Sequence, residues 1–250
     1  DVTYAYNEAS GGIKTYINQK RQYILEHTGD EHVLIIPGAE DRVEAKGRLS
    51  TIHIASPSVP WHKTYRLFWR PDNILKALRR AAPHFIELGS FFVSPMPVFE
   101  YRKEQRRGGA VCLVAAYFHT DIADAYFAGP LRQLFQEHLA DWSAALGEWG
   151  DNVSQAIEER AENYFGGIFR NCDLVFAAGP DQVARLADYE VFGVHTIPLG
   201  VDTKLFSPDK RDPAIRRCYG ADEETVILIY GGRLDSEKQV EVLCEAFEQT

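Results

Sequence analysis

The chain has 250 residues, 45% hydrophobic and 25% charged, enough apolar material for one large or two modest globular domains. A formal net charge of -9 leaves no overall basic footprint for nucleic acid. The four cysteines, Cys112, Cys172, Cys218 and Cys244, form no C-x-x-C pair and no zinc-spaced cluster with histidine, so reduced thiols in a cytoplasmic protein are expected.

Strand and helix patterns alternate along the chain. Val2–Tyr6 is a short β-rich run, and because Asp1 opens the chain inside it, some residues are expected to precede. A turn over 7–12 leads to a helix from Ile13 to about His27, with Ile13, Tyr16, Ile17, Ile24 and Leu25 at helical spacing. His32–Ile36 is an apolar strand stopped by Pro37-Gly38, and Thr51–Ala55 is a third strand. Pro71-Asp72 marks the entry to a helix over Asn73–Ala82. Phe85–Leu88 is a strand, Glu100–Arg107 a basic helical stretch, and Ala110–Phe118 the most hydrophobic strand, as a buried parallel strand requires. Helices are expected at about 130–140 and 151–170, a strand at Leu174–Ala178, a helix at Asp181–Tyr189 and a strand at Val194–Pro198. No run of apolar residues is long enough to span a bilayer. The alternation predicts an α/β protein with a doubly wound parallel sheet. Residues 199–215 lose this periodicity and read as a linker. The apolar strand Thr225–Tyr230, the Gly231-Gly232 turn and a helix over Glu237–Gln249 then open a second α/β domain, which is expected to continue beyond Thr250. The division is residues 1–200, a linker over 201–218 and the second domain from 219.

Four places carry chemistry. Gly11-Gly12, after Ser10, lies between the first strand and first helix, where glycine admits a ligand close to the backbone and helix N–H groups favour an anion. A plain tight turn is the alternative, since neither a G-x-G-x-x-G fingerprint nor a Walker phosphate loop is present. In Gly231-Gly232-Arg233 through Lys238, glycines end a strand, and Arg233 and Lys238 stand where a diphosphate would dock, unless both are solvated helix-start residues. His119 follows the central strand and either hydrogen-bonds a sugar or a reacting oxygen or serves structurally. The run Pro198-Leu199-Gly200-Val201-Asp202 to Phe206-Ser207-Pro208 is a strand end, glycine turn and Asp-capped turn without chemistry of its own.

The pattern P-x-G-V-D-x-x-x-F-x-P at 198–208, followed by G-G-R-x-x-x-x-K at 231–238, resembles the family 4 retaining glycosyltransferases of the two-domain GT-B type. The Gly-Gly after the first strand and a His after the central strand agree with it in order and context. The resemblance implies two Rossmann-like domains with a sugar nucleotide in the cleft between them. It implies that Arg233 and Lys238 bind the diphosphate and Gly11, Gly12 and Gly232 approach the ligand. It also implies that His119 orients the transferred sugar. The donor is then a UDP- or GDP-sugar, with no cofactor and no metal, in keeping with the absence of any D-x-D pair. The acceptor is a glycan, a lipid or a small molecule. Leu199 stands where the family commonly has Asn, and the stretch around Glu87 lacks the family's Asp and His, which leaves Glu87 as the acceptor-side residue the resemblance offers there. The family's E-x7-E element is expected beyond Thr250, so these 250 residues alone are expected to be inactive.

Residues 60–70 interleave Trp61, Tyr65, Phe68 and Trp69 with cations, suiting either sugar stacking and anionic headgroups or a loop and helix start packed on the core. Arg102, Lys103, Arg106 and Arg107 read as a solvated helix face, with a peripheral membrane contact as the alternative. Against the enzyme stands a non-catalytic sugar or sugar-nucleotide binding module of the same fold. A nicotinamide-dependent enzyme is disfavoured by the missing glycine fingerprint.

Overall fold

The computed structural model describes residues 1–7, 10–59, 62–119, 144–222, 224–232 and 240–249, with the backbone alone at 59, 62–64 and 144–154. It divides into two compact units, Asp1–Leu199 and Gly200–Thr250.

The first unit is built on one sheet. Its strands are β1 (His32–Gly38), β2 (Arg42–Lys46), β3 (Leu49–Ala55), β6 (Phe85–Leu88), β7 (Leu113–Phe118), β8 (Leu174–Ala177) and β9 (His195–Thr196), while β4 (Ser58–Val59) and β5 (His62–Arg66) form a separate hairpin. β1 pairs β3 in parallel, and β6, β7, β8 and β9 follow one another in parallel. Val2 joins the two halves through parallel bridges to Ile35 of β1 and Leu88 of β6. The spatial order is therefore β2, β3, β1, the Val2 segment, β6, β7, β8, β9. The chain moves outward on one side of Val2 and then on the other, so the winding direction reverses between Val2 and β6. Such a reversal leaves a crevice outside the carboxyl ends of the strands.

The helices of this unit are α1 (Gly12–His27), α2 (Pro71–Ala81), α3 (Pro95–Arg107), α4 (Ala144–Arg170) and α5 (Pro180–Asp188). Ile17 of α1 packs on Leu34 and Ile36, with Tyr6, Ile13 and Tyr16 around them. The larger core on the opposite face gathers Ile74 and Leu78 of α2, Val98 and Tyr101 of α3, Phe165 and Phe169 of α4 and Leu186 of α5 against the sheet. Helices thus cover both faces, as a doubly wound sheet requires. α1 ends at Thr28, and Arg48 donates to the carbonyls of Leu25 (2.7 Å), Thr28 (2.8 Å) and Asp30 (2.8 Å), capping the helix with a cation.

Several boundaries differ from the sequence reading. Val2–Tyr6 contributes one bridging residue rather than a strand, because Val2 is shared between two neighbours over a very short stretch. β1 runs through Pro37 to Gly38. β2 was not expected: all five of its residues are exposed, so no apolar alternation announces it. Its Arg42, Glu44 and Lys46 are the charges that keep an edge strand from pairing with other chains. The aromatic-basic run at 60–70 contains β5 of a hairpin, not a loop leading directly into a helix. α4 is already helical at Ala144, ahead of the start expected at 151, and the helix expected at 130–140 lies outside the described residues.

In the second unit, Asp202 accepts the N–H groups of Lys204 and Leu205, each at 2.9 Å. Ser207 and Asp212 cap a 3-10 turn at Pro208–Lys210 and helix α6 (Pro213–Cys218). Thr225–Tyr230 forms no strand among the described residues, and Val226, Leu228 and Ile229 are exposed. A strand is defined by its ladder, and among the described residues of this unit no strand ladder includes these residues. Helix α7 (Val240–Glu248) follows, with no buried residue. Among the described residues no helix of the chain is long and apolar enough to cross a membrane.

Candidate functional site

The turns that follow Val2, β6 and β7 lie together at the sheet reversal. Thr3 Oγ1 donates to the Gly89 carbonyl at 3.2 Å, and Ser90 Oγ accepts the Tyr4 N–H at 2.6 Å. A Cβ on Gly89 would lie 3.1 Å from Thr3 Cβ, so only glycine lets these two turns meet without a shift. The opening of α1 is different. A Cβ on Gly11 or Gly12 would meet nothing within 4 Å, and both residues are exposed. Gly11 takes the N-cap position without any side-chain capping bond, which leaves first-turn N–H groups directed outward for an anionic group.

About 6 Å further along α1 stands Tyr16, whose ring meets His119 edge-on, 5.3 Å between centroids. Tyr117, the penultimate residue of β7, stacks on the same imidazole at 4.2 Å with planes 12° apart. Tyr16 Oη donates to Glu87 Oε2 at 3.1 Å, and Lys20 Nζ lies 2.8 Å from that oxygen. Parallel pairing of Glu87 with Ala115 puts Glu87 and Tyr117 on the face that α1 covers. Lys20 also reaches Asp1 Oδ1 at 2.6 Å.

Burial, and secondarily the Lys20 ammonium, lower the His119 pKa to about 4. The imidazole is neutral at physiological pH, with one nitrogen donating and the other accepting. That suits a neutral hydroxyl better than a phosphate. Burial and the adjacent Glu87 carboxylate raise Tyr16 well above the ordinary phenol range, so its hydroxyl stays a donor.

The structure thus brings His119 and Glu87 into one cluster, with Gly11 and Gly12 at the head of the helix that serves it. Tyr65 lies on β5, half-buried. Gly232 lies in the second unit, where an added Cβ would fall 2.5 Å from Tyr230 Oη. Trp61, Arg233 and Lys238 lie outside the described residues. Tyr16, Lys20 and Tyr117 are parts of the cluster that sequence reasoning passed over. The only available signal was the four-residue spacing of Tyr16 and Lys20, which puts them on one helix face. Among the described residues no group of three or more His, Cys, Asp or Glu is placed to hold a metal ion.

No protein-family model matches the chain. It is 25% identical over 226 residues to a GDP-mannose-dependent alpha-mannosyltransferase of Corynebacterium glutamicum, a match covering 88% of this chain. This chain is similar to a glycosyltransferase. The match takes in 48% of the relative, so the chain spans about half that protein's length. The α/β sheet with helices on both faces is the Rossmann-like architecture that the GT-B resemblance implied.

Proposed function

We propose that this chain belongs to a retaining, metal-independent glycosyltransferase that moves a hexose from a nucleotide-diphosphate sugar, with GDP-mannose the first donor to test. One observation carries the reading: exposed Gly11-Gly12 opens α1 and His119 follows the carboxyl end of β7, in a chain whose likeness to a mannosyltransferase extends over 88% of its length. In this reading residues 1–200 are the acceptor side, 201–218 the linker and 219–250 the start of the donor side. Arg233 and Lys238 stabilise the charge that develops on the departing diphosphate. Gly11, Gly12 and Gly232 let the backbone approach the ligand. His119 hydrogen-bonds a sugar hydroxyl, and the acceptor hydroxyl attacks the face from which the nucleotide departs. Trp61 and Tyr65 are assigned to the acceptor, a glycan, a lipid or a small molecule.

The four free thiols support a reducing, cytoplasmic setting. A groove of about 660 Å³ on α3, lined by Met96, Phe99, Lys103 and Arg107 among others, supports peripheral contact with anionic lipid on a chain whose net charge is -9. Sedimentation with anionic liposomes tests this: Lys103→Glu with Arg107→Glu should abolish binding, and unchanged binding rejects the contact.

The deciding experiment is nucleotide release from a panel of GDP-, UDP- and ADP-sugars by the uninterrupted gene product, with residues 1–250 alone as the expected inactive comparison. Release from one donor establishes the reaction class. No release from any donor, with membranes and simple glycans supplied, favours the binding-module alternative. Arg233→Ala should lower turnover by about 10²-fold with little loss of thermal stability.

A further inference from the structure

Two aromatic rings flank His119, Tyr117 from the strand it follows and Tyr16 from α1, and the Lys20–Glu87 ion pair stands behind Tyr16. Tyr117 stacks against the imidazole at 4.2 Å, Tyr16 meets it edge-on at 5.3 Å, and the two phenol rings are 5.7 Å apart. Each ring is tied at its far end. The Tyr117 hydroxyl donates to the Ile197 carbonyl at 2.5 Å, and the Tyr16 hydroxyl donates to Glu87 at 3.1 Å. Lys20 closes the arrangement, 2.8 Å from Glu87 Oε2 and 4.7 Å from the centroid of the Tyr16 ring. A histidine just beyond a strand end would otherwise sample several rotamers. Locking such a side chain through packed neighbours and their own hydrogen bonds is how a binding geometry is preorganised.

We propose that Tyr16, held by Glu87 and Lys20, forms with Tyr117 a clamp that positions His119 for hydrogen bonding to the sugar, so that Tyr16 and Glu87 are positioning residues acting through His119. The inference rests on the glycosyltransferase reading for its effect on turnover, but not for the clamp itself. The titratable groups facing the imidazole are Tyr16 and Tyr117, with the Lys20 ammonium acting on it from α1 and Glu87 of β6 standing behind Tyr16. Burial among them keeps the ring neutral.

The test uses the full-length protein and two readouts. In the first, NMR follows the titration of the His119 imidazole. Tyr16→Leu should admit water and move its pKa upward toward the ordinary value of about 6.5, while Tyr16→Phe, which keeps the ring, should move it less. An unchanged titration in Tyr16→Leu overturns the clamp, whether or not the protein turns over any sugar nucleotide. In the second, nucleotide release is measured for Tyr16→Leu, His119→Ala and the double variant. Tyr16→Leu should lower kcat about tenfold or more, and the double variant should match His119→Ala, because residues acting as a unit are not additive. Losses that multiply would overturn the proposal. If Tyr16→Leu does not fold, Tyr16→Met, which also removes the ring and its hydroxyl, replaces it in both readouts, with a shift in the same direction expected and no shift counting against the clamp. A parent protein that releases no nucleotide defeats the functional reading alone.

Discussion

The guanidinium of Arg102 donates to the Asn171 carbonyl at 2.6 Å and to the Asp173 carboxylate at 3.1 Å, joining α3 to the turn before β8. Arg102 is buried, so the basic stretch of α3 is not uniformly the solvated face that its sequence suggests. Arg106 reaches the other oxygen of Asp173 at 2.6 Å, and Val114 N–H donates to Asp173 at 2.8 Å. One carboxylate therefore ties α3, β7 and the β8 approach together.

Asp173 should stabilise the fold in a pH-dependent way. Burial pushes its carboxyl pKa up, but hydrogen bonds from Val114, Arg106 and Arg102 outweigh this and leave it below the ordinary carboxylate value. A depressed folded-state pKa means that the contribution is complete above the unfolded value of about 3.9 and lost as pH falls through the folded one. Asp173→Asn should cost about 1–3 kcal/mol at neutral pH. Thermal melts at pH 7 and pH 3 should show the difference from the parent narrowing in acid; an equal difference at both would remove the electrostatic explanation.

Adjacent glycines of α4 should respond differently to alanine. A Cβ on Gly166 would lie 2.8 Å from the Tyr189 carbonyl oxygen and 3.2 Å from Tyr189 Cβ, whereas on Gly167 it meets only the tip of Arg170 at 4.0 Å. Gly166→Ala should destabilise by about 1–3 kcal/mol through overpacking. Gly167→Ala should be neutral or stabilising by up to about 1 kcal/mol from helix propensity. Denaturant midpoints of both variants decide whether α4 approaches Tyr189 this closely.

Gly12 separates folding from function. Open space surrounds its missing side chain, so Gly12→Val should shift the melting temperature by no more than about 2 °C. Under the proposed glycosyltransferase reading, donor turnover in the full-length protein should nevertheless fall about tenfold or more, since that reading puts the ligand where the added methyls would stand. Retained turnover would reduce Gly11-Gly12 to a turn.

Thiol reactivity should divide the cysteines into pairs. Cys218 and Cys244 are exposed, Cys112 is buried, and burial pushes the Cys172 thiol up to about 12. An aromatic disulfide reagent at pH 8 should label two thiols rapidly in the native protein and the other two only on unfolding. Rapid labelling of all four would contradict the packing of Cys112 and Cys172.

Where local signals were strong, the elements were legible. Ile13 and Ile17 set the buried face of α1, Pro71-Asp72 placed the start of α2, and Phe85–Leu88 stands as read. β2 was invisible because an exposed edge strand needs no apolar alternation. Thr225–Tyr230 misled because its apolar run has strand composition, while a strand also requires a neighbour to bond with.

The sequence by itself determined the α/β alternation, the glycines that open α1, and His119 at the end of the central strand, since these follow from periodicity and turn chemistry within short windows. Only the tertiary structure decided that Val2 sits between β1 and β6, so that the winding reverses there. It alone brought Tyr16, Glu87 and Tyr117 around His119. In the sequence Tyr16 is one more helix-spaced apolar residue and Tyr117 one more strand residue. Their partnership arises from strand order and helix packing, which are set by the burial of the whole core and are written in no single segment.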